Sequence, residues 1–302
     1  MRSPLSEVFA GMVEEIISLT TEAGTTPTET GIPGVLMIQG DVPQHQLAAV
    51  YDPMVGVVVN GGKTLSIGSS RFHLSAPSYF VVPTDLPASG RVHPGKDGTP
   101  YLSVALRLNG KTVLELLKDL PESLATGRDS DEFSGCAATP EFLDAWVRLL
   151  RLRKRPADIP ALAPAYEREI LYHVLRGPQG WRLRQSCFAR GKATGINKAV
   201  QWIRENFTRA IDIEPVAARV GMAVTTFHRQ FKQVTGLSPI QFQKQLRLLE
   251  ARKFMAYDGD TASVAAFKVG YESVSQFNRE YSRQFGAPPG RDILNLRAVG
   301  LG

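Results

Sequence analysis

Apolar positions between residues 31 and 108 come in short runs: GVLMIQ, MVGVVVN, KTLSIG, YFVVP and YLSVALRL. The runs are rich in β-branched residues and are broken by Gly, Pro and Asp, a pattern that predicts strands. Several strands in a row predict a sandwich or barrel. Asn60-Gly61-Gly62 stands between two of the runs and predicts a hairpin, because Asn and Gly reach positive φ at little cost. From 111 to 176 the period changes. KTVLELLKDL has helical spacing, and Thr139-Pro140 opens EFLDAWVRLLRLRK with a capping hydroxyl and a first-turn proline. APAYEREILYHVLRG runs to Gly177-Pro178, a helix stop, with Leu171, Val174 and Leu175 on one packing face. The stretch 177–195 holds five glycines or prolines and several basic residues, and is expected to be a flexible linker.

The last third repeats itself. FHRQFKQVTGLSP (227–239) is answered fifty residues later by FNREYSRQFGAPP (277–289). After a predicted helix at 198–207, Asp212 is placed to cap PVAARVG, whose stripe is Val216, Ala217 and Val220. VTTFHRQFKQV follows, with Phe227, Phe231 and Val234 at i, i+4, i+7. Thr225, His228, Arg229 and Lys232 fall on the opposite face, and Gly236 suits a left-handed cap. Two short helices joined by a tight turn, the second with a basic outer face, predict a helix-turn-helix. In the second copy Asp260 or Thr261 caps ASVAAFKVG, with Val264, Ala265 and Val269 as its stripe. VSQFNREYSRQF then turns Phe277, Tyr281 and Phe285 inward and Ser275, Gln276, Asn278, Arg279 and Arg283 outward. Between the copies PIQFQKQLRLLEARKFM predicts one long helix. Phe242, Leu246, Leu249 and Phe254 face in, and Lys244, Arg247 and Lys253 face out.

Charge sharpens this picture. Of 35 Lys/Arg and 29 Asp/Glu, residues 196–302 hold 15 and 9, so the whole net charge of +6 lies there; residues 1–195 hold 20 of each. A basic block on a duplicated helical motif points to double-stranded DNA. No apolar run approaches the roughly 18 residues that cross a bilayer, and MRSPLSEVFAGMVEE has no signal-peptide core. A cytoplasmic protein without membrane contact is expected. Cys136 and Cys187 lack metal or redox spacing and read as free thiols.

Residues 196–297 resemble the DNA-binding domain of the AraC family of transcription regulators. The marks are PVAARVGMAVTTFHRQFKQVTGLSPIQFQKQLRLLEARKFM and VAAFKVGYESVSQFNREYSRQFGAPPGRDI. Tyr281-Ser282 departs from the Phe-Lys that many members carry. LSIG, YFVVPTDLPASGRV, YLSVALRL and EREILYHVLRGPQGWRLRQ resemble the N-terminal domain of a subgroup of that family. The resemblance implies an α+β multidomain chain: an N-terminal cupin-like β-barrel with helices, then an all-α double helix-turn-helix. The expected domains are 1–190 and 191–302, with units at about 212–236 and 260–286 and a linker helix at about 239–256. It implies a regulator of transcription that binds operator DNA and is controlled by a small-molecule effector in the N-terminal domain. A homodimer and RNA polymerase are further implied partners, with residues 146–152 (WVRLLRL) as a candidate dimer face or an ordinary core helix.

On this reading the two recognition helices enter successive major-groove faces about 10 bp apart. Arg229 and Arg279 occupy equivalent places and pair with guanine or clamp phosphate; Gln276 and Asn278 suit adenine, and Thr225 a thymine methyl. Lys232, Lys244, Arg283 and Arg291 position the phosphate backbone. Effector residues are not assigned; Tyr79, Phe80, Arg91 and His93 line either a pocket or the core. An enzyme is not expected. Metal cupins need His-x-His, whereas His45, His73 and His93 each stand alone, and no nucleophile elbow, P-loop or G-x-G-x-x-G is present. No metal or cofactor is expected. The alternatives are a DNA-binding protein whose first half only dimerises, and a cupin enzyme fused to a DNA-binding module.

Overall fold

The computed structural model describes residues 4–42, 48–68, 70–120, 135–187 and 192–298. After helix α1 (Pro4–Leu19) come β1 (Thr28–Glu29), β2 (Val35–Gln39), β3 (Ala49–Tyr51), β4 (Met54–Asn60) and β5 (Gly62–Ile67). β6 (Ser70–Ser75), β7 (Ser78–Val82), β8 (Leu86–His93) and β9 (Leu102–Arg107) follow. The helical part of this half is α2 (Gly110–Asp119), β10 (Cys136–Ala137), α3 (Pro140–Arg151), α4 (Ile159–Arg176) and α5 (Gly180–Cys187).

The strands form two antiparallel sheets, ordered β1-β2-β9-β4-β7-β10 and β3-β8-β5-β6. Alternation along β4 divides its side chains. Val55, Val57 and Val59 join a core with α1, α3 and α4, while Val58 joins a second core between the sheets. Gly56 lies opposite Phe80, whose ring would be 2.3 Å from any Cβ there. A glycine is therefore needed for the ring to sit across the barrel.

Two expectations need correction and one is decided between its alternatives. Asn60-Gly61-Gly62 is not a hairpin: β4 pairs with β7 and β9, and β5 with β6 and β8. The turn instead carries the chain from one sheet to the other. Gly61 adopts φ +74° against the His93 carbonyl, and the Asn60 amide donates to Thr99 Oγ1 and the Pro100 carbonyl at 2.7 Å each. Of the two readings of residues 146–152, the structure favours the core helix, with Arg148 half-buried and Arg151 exposed. Trp146, Leu149, Leu150 and Leu152 are fully buried, because α3 packs against both α1 and α4. The linker expected at 177–195 contains a docked helix, α5. Gly180 comes so close to the Leu175 carbonyl that a Cβ would stand 2.1 Å from it, and Leu183 reaches the first core. The expected boundary at 190–191 lies outside the described residues.

The remaining helices are α6 (Lys192–Asn206), α7 (Ile213–Arg219), α8 (Val224–Thr235), α9 (Pro239–Tyr257), α10 (Ala262–Lys268), α11 (Val274–Phe285) and α12 (Pro289–Ala298). Asp212 caps α7 through the Glu214 amide, and Ser238 and Gln241 form a capping box at the start of α9. Thr261, not Asp260, caps α10; Asp260 pairs with Lys268 at 2.6 Å. Phe227, Phe231 and Phe242 are buried in a core continuous with that of the barrel. α9 packs on β3 and β8, and Leu237 fills the space left open at Gly68. The second unit has its own core around Met255, Phe277 and Tyr281. Among the described residues no helix is long and apolar enough to cross a membrane.

Candidate nucleic-acid interface

The apolar spacing of α8 and α11 fixes which side chains are left outside. With Phe227, Phe231 and Val234 buried, Thr225, Arg229 and Lys232 are exposed and His228 is half-buried beside the Phe227 ring. With Phe277 and Tyr281 buried, Ser275, Gln276, Arg279 and Arg283 are exposed. Asn278 is the exception on its face. It is half-buried, and its side-chain oxygen is buried without a partner among the described residues. Both helices end on a left-handed glycine, Gly236 at φ +74° and Gly286 at φ +81°. Arg229, Lys232, Arg279 and Arg283 form no ion pair among the described residues.

Other charged groups of this region are engaged internally. Arg247, expected to face out, instead donates to the carbonyls of Phe207 (2.7 Å), Gly270 (2.8 Å) and Arg209 (2.9 Å). It ties the loop after α6 to the turn of the second unit, and burial lowers its pKa. Gly270 at φ +89° makes this possible, since a Cβ there would overlap the Thr208 carbonyl. Lys244 pairs with Glu280 at 2.8 Å, and Glu280 also accepts from Tyr271 Oη (2.7 Å) and Gln276 Nε2 (3.3 Å). Burial raises the Glu280 pKa, but these three donors outweigh it and hold the carboxyl below its ordinary value. Sequence reasoning missed Glu280, although its spacing of four from Gln276 was a usable sign. It also missed the hydroxyl of Tyr281, which donates to Asp292 at 2.7 Å; Asp292 in turn takes both Nε and Nη2 of Arg252 at 2.8 Å. Val264, expected in a buried stripe, is 44% exposed; it lies a third of a turn off the Ala265–Val269 line.

The two units differ in what they face. Arg229 and Lys232 line a cleft of about 990 Å³ with Ile67, Ser70, Arg71 and Phe72 of the barrel. Arg283 lines a second cleft with barrel residues, described below. At the docking surface Asp85 of the barrel pairs with Arg204 at 2.7 Å and accepts from Gln201, both on α6.

Inside the barrel Lys63 is buried, its ammonium 4.7 Å from the Tyr51 ring centroid and 5.5 Å from that of Phe80. It has no ion pair among the described residues. Burial lowers its pKa to about 8. The Tyr101 hydroxyl is buried nearby; among the described residues its nearest polar partner is the Ser103 side chain, which does not reach good hydrogen-bond geometry. His73 and His93, which read as isolated in the sequence, are brought together by the sheet. Their ring centroids are 5.6 Å apart, and Thr64 Oγ1 lies 3.2 Å from His73 Nδ1 and 2.9 Å from His93 Nε2. Among the described residues no three His, Cys, Asp or Glu side chains converge as a metal site would require. His45 lies outside those residues. Tyr79 and Phe80 belong to the two cores, Arg91 is exposed, and Cys136 carries a free thiol.

The family model for the N-terminus of AraC-type transcriptional regulators matches residues 31–182, and a helix-turn-helix domain model matches 216–292. The first match alone covers half of the sequence. The chain belongs to the AraC family of transcription regulators. It is similar to the HTH-type transcriptional activator RhaS of Escherichia fergusonii, with 33% identity over 106 residues, 35% of this chain and 38% of RhaS. It is similar to RhaS of Citrobacter koseri at 31% over 143 residues, 46% of this chain and 49% of that one. The chain thus spans half or less of the length of the curated relatives it matches. Among solved structures, ToxT of Vibrio cholerae bound to an unsaturated fatty acid aligns with TM-score 0.55 and 11% identity. The alignment covers 87% of this chain and 95% of that one. At that identity the likeness is one of AraC-type fold: a β-rich N-terminal domain with helices, followed by the helical helix-turn-helix domain. The family matches and relatives of this AraC-type chain are regulators, not enzymes.

Proposed function

We propose that this AraC-type chain binds double-stranded DNA through α8 and α11, and that a small-molecule effector held in the N-terminal barrel controls that binding. One observation carries the first half. Arg229 and Arg279, at equivalent positions of the two copies, are exposed cations with no acidic partner among the described residues. An arginine so placed can pair with guanine in the major groove. Thr225, His228, Ser275 and Gln276 flank the two arginines, and Asn278, whose side-chain oxygen is enclosed in the fold, reaches a base only if its side chain turns outward. Lys232 and Arg283 serve phosphate contacts. In this reading Lys244 acts through Glu280, holding Gln276 in place, instead of meeting phosphate itself.

The second half rests on the barrel interior. Lys63 and Tyr101 are polar groups enclosed by aromatic and aliphatic side chains, and neither has its full set of partners. A ligand with an acceptor group would supply one. ToxT holds a fatty acid, which makes an acidic, largely apolar effector a reasonable class to screen. The domains are 1–190 and 191–302, and the chain acts as a homodimer. With the apolar side chains of residues 146–152 buried, the apolar dimer candidate is the surface cleft of Leu116, Leu120 and Tyr172 between α2 and α4.

The test is selection of bound duplexes from a random library by the whole chain, followed by a melting-shift screen of small acids. Enrichment of two elements about 10 bp apart, and a ligand shift lost in Lys63→Met, are expected. Absence of any enriched sequence overturns the DNA reading. A ligand shift unchanged in Lys63→Met overturns the barrel site.

A further inference from the structure

Strand β5 alternates Lys63, Leu65 and Ile67 toward the barrel interior with Thr64 and Ser66 on its outer face. Register then builds two polar rows across three strands: Arg91–Thr64–His73 and Ser89–Ser66–Arg71. His93 joins the first row through its contact with Thr64. Opposite this face, the C-terminal end of α11 presents Arg283, Gln284 and Phe285. Together they enclose a cleft of about 540 Å³, within the range of small-molecule sites.

The charge in this cleft is unbalanced. Arg252 lines it too, but Asp292 holds its guanidinium on two bonds. Arg71, Arg91 and Arg283 are exposed and form no ion pair among the described residues, and no Asp or Glu is among the described lining residues. Arginines gathered without a counter-charge repel one another, and their planar forks match carboxylate and phosphate oxygens two at a time. Hydroxyls of Thr64, Ser66 and Ser89 stand between them as further donors.

We infer that this cleft is a binding site for a small polyanion, a phosphorylated or polycarboxylate metabolite, bridging the outer face of the barrel and the second recognition helix. It is a separate input from the barrel interior, since β5 turns alternate side chains to the two. The inference rests on the proposed function at one point only, the role of Arg283 at DNA. An anion held by Arg71 and Arg91 engages Arg283 and competes with a phosphate of the duplex for it.

The test is calorimetric titration of the whole chain with inorganic pyrophosphate and, separately, with citrate, at low and at physiological salt. The two arms distinguish phosphate from carboxylate sources. Saturable one-to-one binding of at least one probe is expected at both salts. It should weaken at least about tenfold in Arg71→Ala/Arg91→Ala and in Arg283→Ala, and stay unchanged in Lys118→Ala on α2. The bound probe should also displace a labelled duplex from the native chain, but not from Arg71→Ala/Arg91→Ala. No saturable binding, binding that survives both variants, or equal loss in Lys118→Ala overturns the site. So does a double variant that loses duplex affinity while probe binding is unaltered, because the barrel arginines would then belong to the DNA track. Titration with the probes needs no DNA, so a chain that ignores duplexes but binds probe sinks only the proposed DNA reading.

Discussion

The Asp85 carboxylate lies 2.7 Å from the Arg204 guanidinium, joining the loop before β8 to helix α6 across the docking surface. Asp85 is buried while Arg204 is a third exposed, so the pair sits at the rim of a shared core. Gln201 donates to the same carboxylate. Asp85→Ala leaves two donors without an acceptor and should destabilise the docked arrangement by about 1–3 kcal/mol. Hydrogen exchange should speed up along α6 while β4 and β9 stay protected; unchanged exchange in α6 would show that the pair does not hold the docking.

Lys63 sets a pH dependence. Burial brings its pKa to about 8 from an ordinary value near 10.5. Below pH 8 both folded and unfolded chains carry the proton, and the folded state bears the full cost of the buried charge. Between about 8 and 10.5 the folded state has lost the proton that the unfolded chain keeps, so stability rises with pH. The shift corresponds to about 3 kcal/mol. Lys63→Met should be the more stable protein at pH 7 by up to that amount, the gap closing toward pH 10.5. Urea unfolding at pH 7 and 9.5 measures it, and a gap independent of pH would refute the assignment.

Tyr281, Asp292 and Arg252 lock α11 to α9 and α12. Asp292→Ala leaves a buried guanidinium unpaired and should cost about 3–5 kcal/mol. Tyr281→Phe loses one hydrogen bond and should cost about 1–2 kcal/mol. The ranking, read by thermal unfolding of the variants, is the checkable content.

Glu280 neutralises Lys244 at the edge of the second recognition helix. Glu280→Gln should release Lys244 to the solvent and to phosphate. Duplex binding should then strengthen regardless of sequence, and the slope of log affinity against log salt should steepen by about one. A slope equal to that of the native chain would argue that Lys244 stays out of reach of DNA.

The sequence was most informative where a single element decides its own burial. Phe227, Phe231, Phe277 and Tyr281 are inside because helical spacing puts them on one face. Asp212 and Thr139 mark helix starts because a cap acts over three residues. What stayed illegible depends on partners far along the chain. β6 and β8 were missed because polar side chains interrupt their apolar runs; β6 is largely exposed, and β8 is buried in part beneath α9. Asn60-Gly61-Gly62 misled because its local geometry is that of a hairpin, while sheet membership is set by β7 and β9. His73 and His93 are twenty residues apart, and only the pairing of both strands with β5 makes them neighbours. WVRLLRL left a dimer face and a core helix equally open, because only the packing of α1 and α4 on α3 decides between them.

The most direct test of the account measures duplex affinity of the whole chain for its selected site and for a scrambled one, comparing native protein with Arg229→Ala and Arg279→Ala. Each variant should lose about 1–3 kcal/mol on the selected site, with a much smaller change on the scrambled duplex. Native-like affinity for the selected site in both variants would contradict the assignment of α8 and α11 as the helices that read DNA.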